Sequence, residues 1–154
     1  MLVLTAGMGA GHDTVGRELA NRLDVYGVRS ELVDAAELLP RGWGVALTQL
    51  YKFMATRAQW LYGLTFRAQM DRHRDRRGGR APSIGPLRPA AWKRLGVLVR
   101  DRRPALVVST FHLCSQIAGD MRRRGALEVP VVSVVLDFYV HAMWANPGVD
   151  AHLL

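Results

Sequence analysis

Cysteine and lysine are scarce in this sequence, and long apolar runs are absent. The one cysteine, Cys114, excludes an intramolecular disulfide framework and any zinc knuckle built on cysteines. No stretch of about 18 residues is continuously apolar, so no segment is a candidate spanning helix. The opening Met1-Leu2-Val3-Leu4-Thr5 lacks the basic start of a secretory signal. Gly-Lys-Ser/Thr does not occur, which excludes a P-loop. What remains is a globular mixture of 154 residues, 49% hydrophobic and 22% charged, a length that suits one domain.

The net charge is +8, and it is concentrated. Residues 1–66 are neutral overall, residues 67–103 carry +9, and residues 104–154 carry −1. A local excess of this kind points to an anionic partner such as phosphates, lipid headgroups or nucleic acid. Of the 21 basic residues, 19 are arginine, the side chain suited to bidentate phosphate contact.

The chain alternates strand and helix signals. Leu2–Ala6 is a buried strand closed by Gly7-Met8-Gly9-Ala10-Gly11. Val15, Leu19, Leu23 and Tyr26 then recur at helical spacing up to Gly27, and residues 29–33 form a second strand ending at Asp34. This is a βαβ unit. The same grammar returns as a helix over Trp92–Arg103, a strand over Ala105–Thr110, a helix over Leu113–Arg124 and a strand over Val131–Leu136, with a further strand beginning near Ala151. Right-handed crossovers place helices on both faces of a parallel sheet, so the predicted class is α/β, doubly wound. Between the halves, Trp43–Phe66 is rich in large apolar residues. Positions 43, 47, 50, 54, 61 and 64 share one helical stripe. Residues 67–89, with Gly78-Gly79 and three prolines, are expected to form a long mobile basic loop.

Ligands of parallel α/β sheets bind beyond the carboxyl ends of the strands. The glycine turn after the first strand falls there. It supplies two glycines of the dinucleotide fingerprint and puts His12 where the third belongs, so a nicotinamide site is disfavoured even with Asp34 available to mimic the ribose-binding acid. An imidazole titrates near neutral pH and suits general base chemistry, although a helix-capping histidine fits the same position. His112 and Asp137 follow later strands and fall on the same edge. Their spacing is not diagnostic of a metal, and a hydrogen-bonded acceptor cleft fits better. The aromatic stretch reads equally as a helix packed on the sheet or as an interfacial membrane helix beside arginines. No RNA-binding motif accompanies the basic run.

Gly9-Ala10-Gly11-His12, the segment Pro104-Ala105-Leu106-Val107-Val108-Ser109-Thr110-Phe111-His112, and Val131 through Asp137 to His141, Trp144 and Gly148-Val149-Asp150 occur in an order and spacing that resembles the N-terminal domain of monogalactosyldiacylglycerol synthases and diacylglycerol glucosyltransferases. The resemblance covers essentially the whole chain. It implies a Rossmann-like N-terminal half of a GT-B fold. Such a half binds diacylglycerol and an anionic membrane surface, while a C-terminal domain beyond this chain binds the UDP-sugar. It implies inverting transfer of a hexose in bacterial glycolipid biosynthesis, on the cytoplasmic, inner face of the membrane, with no cofactor, metal or nucleic acid. By the same resemblance, His12 is the catalytic base and Asp137 orients the site or the imidazole. Gly9, Gly11, His112, His141 and Trp144 form the acceptor-binding loops. Trp43, Tyr51, Phe53, Trp60 and Tyr62 face the membrane, with Arg67, Arg72, Arg74, Arg76 and Arg77 on anionic headgroups. The other expectations kept open are an inert membrane- or anion-binding module of the same fold and a nucleotide-binding Rossmann domain.

Overall fold

The structure is a computed structural model that describes residues 1–7, 10–61, 63–64, 87–137, 140 and 143–154. Five strands form one sheet: β1 (Leu2–Thr5), β2 (Glu31–Asp34), β3 (Val107–Ser109), β4 (Val131–Val134) and β5 (Ala151–Leu153). Their order is β2-β1-β3-β4-β5, and every neighbouring pair is parallel. Four helices of the described residues are α1 (Ala10–Val25), α2 (Trp43–Thr56), α3 (Arg88–Arg102) and α4 (His112–Arg123). This is the α/β arrangement expected from the alternation, and the Rossmann-like one that the resemblance implies. The predicted strands 105–110 and 131–136 are shorter than drawn, because the apolar run continues past the residues that pair.

Side chains alternate across a sheet, and the register sorts them. Leu2, Leu4, Val33, Val107 and Val131 join one core with Ala91 and Leu95 of α3 and Cys114, Ile117, Ala118 and Met121 of α4. Val3 and Thr5 point to the opposite face, where α1 lies. Gly16 makes that approach possible: a Cβ there would stand 3.1 Å from the Thr5 side chain and 3.2 Å from Leu32. Leu2, Val3 and Leu4 are all fully buried, so β1 has no polar face, as a central parallel strand requires.

Two small contacts fix the remaining pieces. After β2, Asp34 caps a single 3-10 turn (Ala35–Leu38) by accepting from Ala36 N, while the Glu37 carboxylate accepts from Asp34 N, a reciprocal capping box. Arg94 of α3 donates to the carbonyls of Glu37 and Leu39 and ties this turn to the core. On the far side, the turn carrying Asn146 and Gly148 lies on α4. A Cβ at Gly148 would fall 1.9 Å from the Gly119 carbonyl oxygen, so only glycine fits. Asp150 then accepts from Val131 N at 2.8 Å and pairs bidentately with Arg122, fixing the start of β4.

The aromatic stretch departs from the single expected stripe. α2 stops at Thr56, and helical backbone resumes at residues 59–61. Gly44 is the one buried residue of α2, and it seats the helix against Ala36, whose Cβ is 2.4 Å from where a Gly44 Cβ would be. The helix packs on the 3-10 turn rather than across the sheet. Of the stretch expected as a basic loop, residues 67–86 lie outside the described residues. Its last part is helical: Leu87 precedes α3, and Arg88 and Pro89 are in the first turn.

Candidate functional site

The sheet order reverses direction between β1 and β3: from β1 the chain moves one way to β2, and then returns past β1 to β3. This is the topological switch point, where the strand ends of an open α/β sheet leave a crevice. His12, in the first turn of α1, sits at this point. Its Nδ1 lies 2.7 Å from the carbonyl oxygen of Thr110, just beyond β3. A carbonyl only accepts, so Nδ1 carries the proton of the neutral ring. Nε2 is then the basic nitrogen, and it has no hydrogen-bond partner among the described residues. The backbone of His12 is held as well. Its carbonyl accepts from Thr5 Oγ1 at 2.8 Å and from Thr110 Oγ1 at 3.2 Å.

An aromatic group surrounds this histidine. Phe111 meets the His12 ring edge to face with centroids 5.1 Å apart, and His112 is 4.4 Å from Phe111. Trp144 is wholly buried and lies 6.4 Å from His12 and 5.7 Å from His112. Its indole Nε1 donates to Asp137 Oδ2 at 2.6 Å, and its carbonyl oxygen lies 2.9 Å from His152 Nε2. Four of the expected site residues, His12, His112, Asp137 and Trp144, thus gather at one sheet edge. Asp137 is bound to Trp144, and the imidazole of His12 is aligned by the Thr110 carbonyl. Gly11 is in the first turn of α1, and a Cβ there would meet nothing within 4 Å. Gly9 and His141 lie outside the described residues.

The supporting contacts come from residues that the sequence reading assigned no role. Buried hydroxyls line the strand ends: Ser109 Oγ donates to the Phe111 carbonyl at 2.8 Å, and Ser115 and Ser133 share a hydrogen bond of 2.8 Å. Gln116 donates to the Met143 carbonyl, and Asn146 bonds back to Gln116 and to Gly148 N, which sets the loop that carries Trp144. The available signal was a hydroxyl closing an otherwise apolar buried run, as in Leu2-Val3-Leu4-Thr5 and Val107-Val108-Ser109-Thr110.

Asp34, considered for a ribose hydroxyl, is engaged elsewhere. One carboxylate oxygen accepts from Gly7 N at 2.7 Å and the other from Ala36 N at 2.7 Å. A Cβ at Gly7 would come within 2.8 Å of that carboxylate. The acid closes the glycine turn and caps the 3-10 turn. Cys114 is buried beneath the site, and burial, helped by the Asp34 charge, pushes its thiol far above the ordinary range, so it is no nucleophile. Among the described residues, no group of three or more His, Cys, Asp or Glu side chains is placed to hold a metal.

The expected membrane-facing residues divide. Trp43 (50% exposed) and Phe53 (55%) lie on an outward arc of α2 with Leu50, and Trp60 (74%) is outward in the following helical residues. Tyr51 lies on the inner arc, half-buried, with an interaction of its own. Tyr62, Arg67, Arg72, Arg74, Arg76 and Arg77 lie outside the described residues. No helix of the described residues is long and apolar enough to cross a membrane.

Comparison with known proteins agrees with this architecture. The sequence model of the family described as Monogalactosyldiacylglycerol (MGDG) synthase matches residues 30–154. The chain is 24% identical over 164 aligned residues to the processive diacylglycerol beta-glucosyltransferases of Bacillus cereus (strain 03BB102) and Bacillus thuringiensis (strain Al Hakam). Each alignment covers 100% of this chain, including the His12 turn, and 38% of the relative. No solved structure matches. The family match spans most of the sheet and every strand of the site except β1, and on that basis the chain belongs to the monogalactosyldiacylglycerol synthase family.

Proposed function

We propose that this chain is the acceptor- and membrane-binding part of an inverting glycosyltransferase that moves a hexose from a UDP-sugar to diacylglycerol. The observation that carries the proposal is the His12 imidazole at the β1/β3 switch point, with Nδ1 on the Thr110 carbonyl and Nε2 unpaired among the described residues. The names of the relatives supply the acceptor class. In the reaction, the acceptor hydroxyl attacks the anomeric carbon and UDP leaves with the bonding pair. Nε2 of His12 takes the hydroxyl proton as the bond forms. A fixed tautomer suits this step, since a base that rotates or exchanges its proton loses alignment with the hydroxyl. The UDP-sugar would be held by a second, C-terminal domain, completing a GT-B arrangement.

The outward arc of α2 and Trp60 would rest in the headgroup region of the membrane. Amphipathic aromatics of this kind bury their rings at the interface, and the +9 of residues 67–103 would add attraction for anionic lipid. In this reading the domain sits on the cytoplasmic face and takes diacylglycerol into the crevice from the bilayer. The engaged Asp34 weighs against the dinucleotide alternative. The decisive assay is sugar transfer from UDP-hexose to diacylglycerol vesicles by the enzyme that carries this domain. His12→Ala should lower kcat by about 10²–10⁴-fold, the usual contribution of a general base. Retained transfer would remove His12 from the mechanism.

A further inference from the structure

Thr5 and Thr110 stand at the carboxyl ends of neighbouring strands, and both are buried. Their hydroxyls converge on one acceptor, the carbonyl of His12, at 2.8 and 3.2 Å. Thr110 Oγ1 also lies 3.4 Å from the Leu4 carbonyl, so it bridges β1 and the first turn of α1. The Thr110 carbonyl meets the His12 ring from the same residue. His12 is thus gripped at its backbone by two strands and at its ring by one of them. This is unusual treatment for a first-turn residue, because helix ends fray and their side chains sample several rotamers. Fixing the His12 carbonyl fixes the direction of its Cα–Cβ bond. That in turn keeps Nδ1 on the Thr110 carbonyl and holds the imidazole as one tautomer.

We propose that Thr5 and Thr110 are positioning residues, whose hydroxyls hold the His12 imidazole in the Nδ1–H tautomer with Nε2 as the basic nitrogen. The Thr110 carbonyl takes here the place that a carboxylate takes in many histidine sites, as acceptor of the Nδ1–H that sets the tautomer, and the two hydroxyls keep His12 in register with it through its backbone. In this chain the nearby acid, Asp137, accepts from the Trp144 indole. The use of the aligned ring as a base rests on the function proposed above, whereas the alignment itself does not.

The test is NMR of the 154-residue chain labelled with nitrogen-15 at histidine, which reports the tautomer of each neutral ring and its titration. In the wild type, His12 is expected to be predominantly Nδ1–H. In Thr5→Val/Thr110→Val, which keeps side-chain shape and removes both donors, the tautomer ratio should fall by roughly three- to tenfold, the range set by one neutral hydrogen bond. Thr5→Ser/Thr110→Ser should restore it. A merely structural role for the threonines would move the melting temperature and leave the tautomer ratio alone. An Nε2–H wild type overturns the proposal outright. So does a folded double-valine variant with the wild-type ratio, or a serine variant that behaves like valine. Should the double variant fail to fold, Thr5→Val alone, which leaves Thr110 in place, must still lower the ratio. Failure of the glycosyltransferase reading shows separately, as full sugar transfer by His12→Ala with the tautomer result intact.

Discussion

At the scale of single residues, glycines divide into those that make room for protein and those that leave room for something else. Gly148 has the Gly119 carbonyl 1.9 Å from its would-be Cβ, whereas Gly11 has open space. Gly148→Ala should therefore destabilise the chain by at least ~1–3 kcal/mol, because a backbone carbonyl cannot rotate away as a side chain can. Gly11→Ala should leave stability unchanged or raise it by up to about 1 kcal/mol, since alanine is the better helix former. If Gly11 borders the acceptor, the same substitution should raise KM for lipid. Thermal denaturation and a lipid titration read the two effects independently. Asp150 supplies a pH signature. The Arg122 guanidinium and the Val131 N–H hold its carboxyl below the ordinary value. A lowered folded-state pKa gives stability that is present above the unfolded value of about 3.9 and disappears as pH falls through the folded value. Asp150→Asn should thus lower the urea midpoint at neutral pH, and the gap from wild type should close on the acid side, below about pH 4. A gap independent of pH would place the effect of Asp150 in packing instead.

At the scale of elements, strand and helix order was legible from periodicity, while the orientation of α2 was not. Apolar residues occupy both arcs of this helix, so its pattern satisfied a core helix and an interfacial one alike. The orientation is set by Gly44, whose missing side chain lets α2 sit on Ala36 and leaves Trp43 and Phe53 outward. A contact between residues 36 and 44 has no periodic signature. Trp43→Ala and Phe53→Ala should each change stability by no more than about 0.5 kcal/mol, as expected for exposed positions. Their partition onto vesicles should drop several-fold in a sedimentation assay. Loss of stability with unchanged partition would return α2 to the core. The end of α3 offers a second check. Arg103 terminates it in the left-handed region at φ 45°, ψ 52°, ahead of Pro104, where a Cβ is unfavourable. Arg103→Gly should raise the melting temperature, by an amount equivalent to roughly 0.5–1 kcal/mol.

At the scale of the whole molecule, the charge imbalance predicts how the protein meets a surface. Each arginine near an anionic bilayer contributes about 1 kcal/mol, screened over roughly 10 Å at 0.1 M salt. Binding to phosphatidylglycerol vesicles should weaken steeply as salt rises, and neutral phosphatidylcholine vesicles should retain only the aromatic contribution. Binding that ignores both lipid charge and Trp60→Ala would sink the membrane reading. Which residues would share the sheet edge was legible, because His12, His112 and Asp137 each follow a strand. Their pairings were not, since Asp137 to Trp144 and His12 to Thr110 depend on strand order and loop path.

The bond between His12 and Thr110 joins residues 98 positions apart, across the one place where the sheet reverses direction. Its formation therefore awaits the arrival of β3 beside β1, after the chain has closed a loop whose entropy costs about 4 kcal/mol by length alone. Residues 1–66 hold the glycine turn and the histidine but not the carbonyl that orients it. In kinetic terms the oriented imidazole is a late event: the ring is present once residue 12 has been synthesised, yet it acquires a fixed proton position only when the central strand pair is in register.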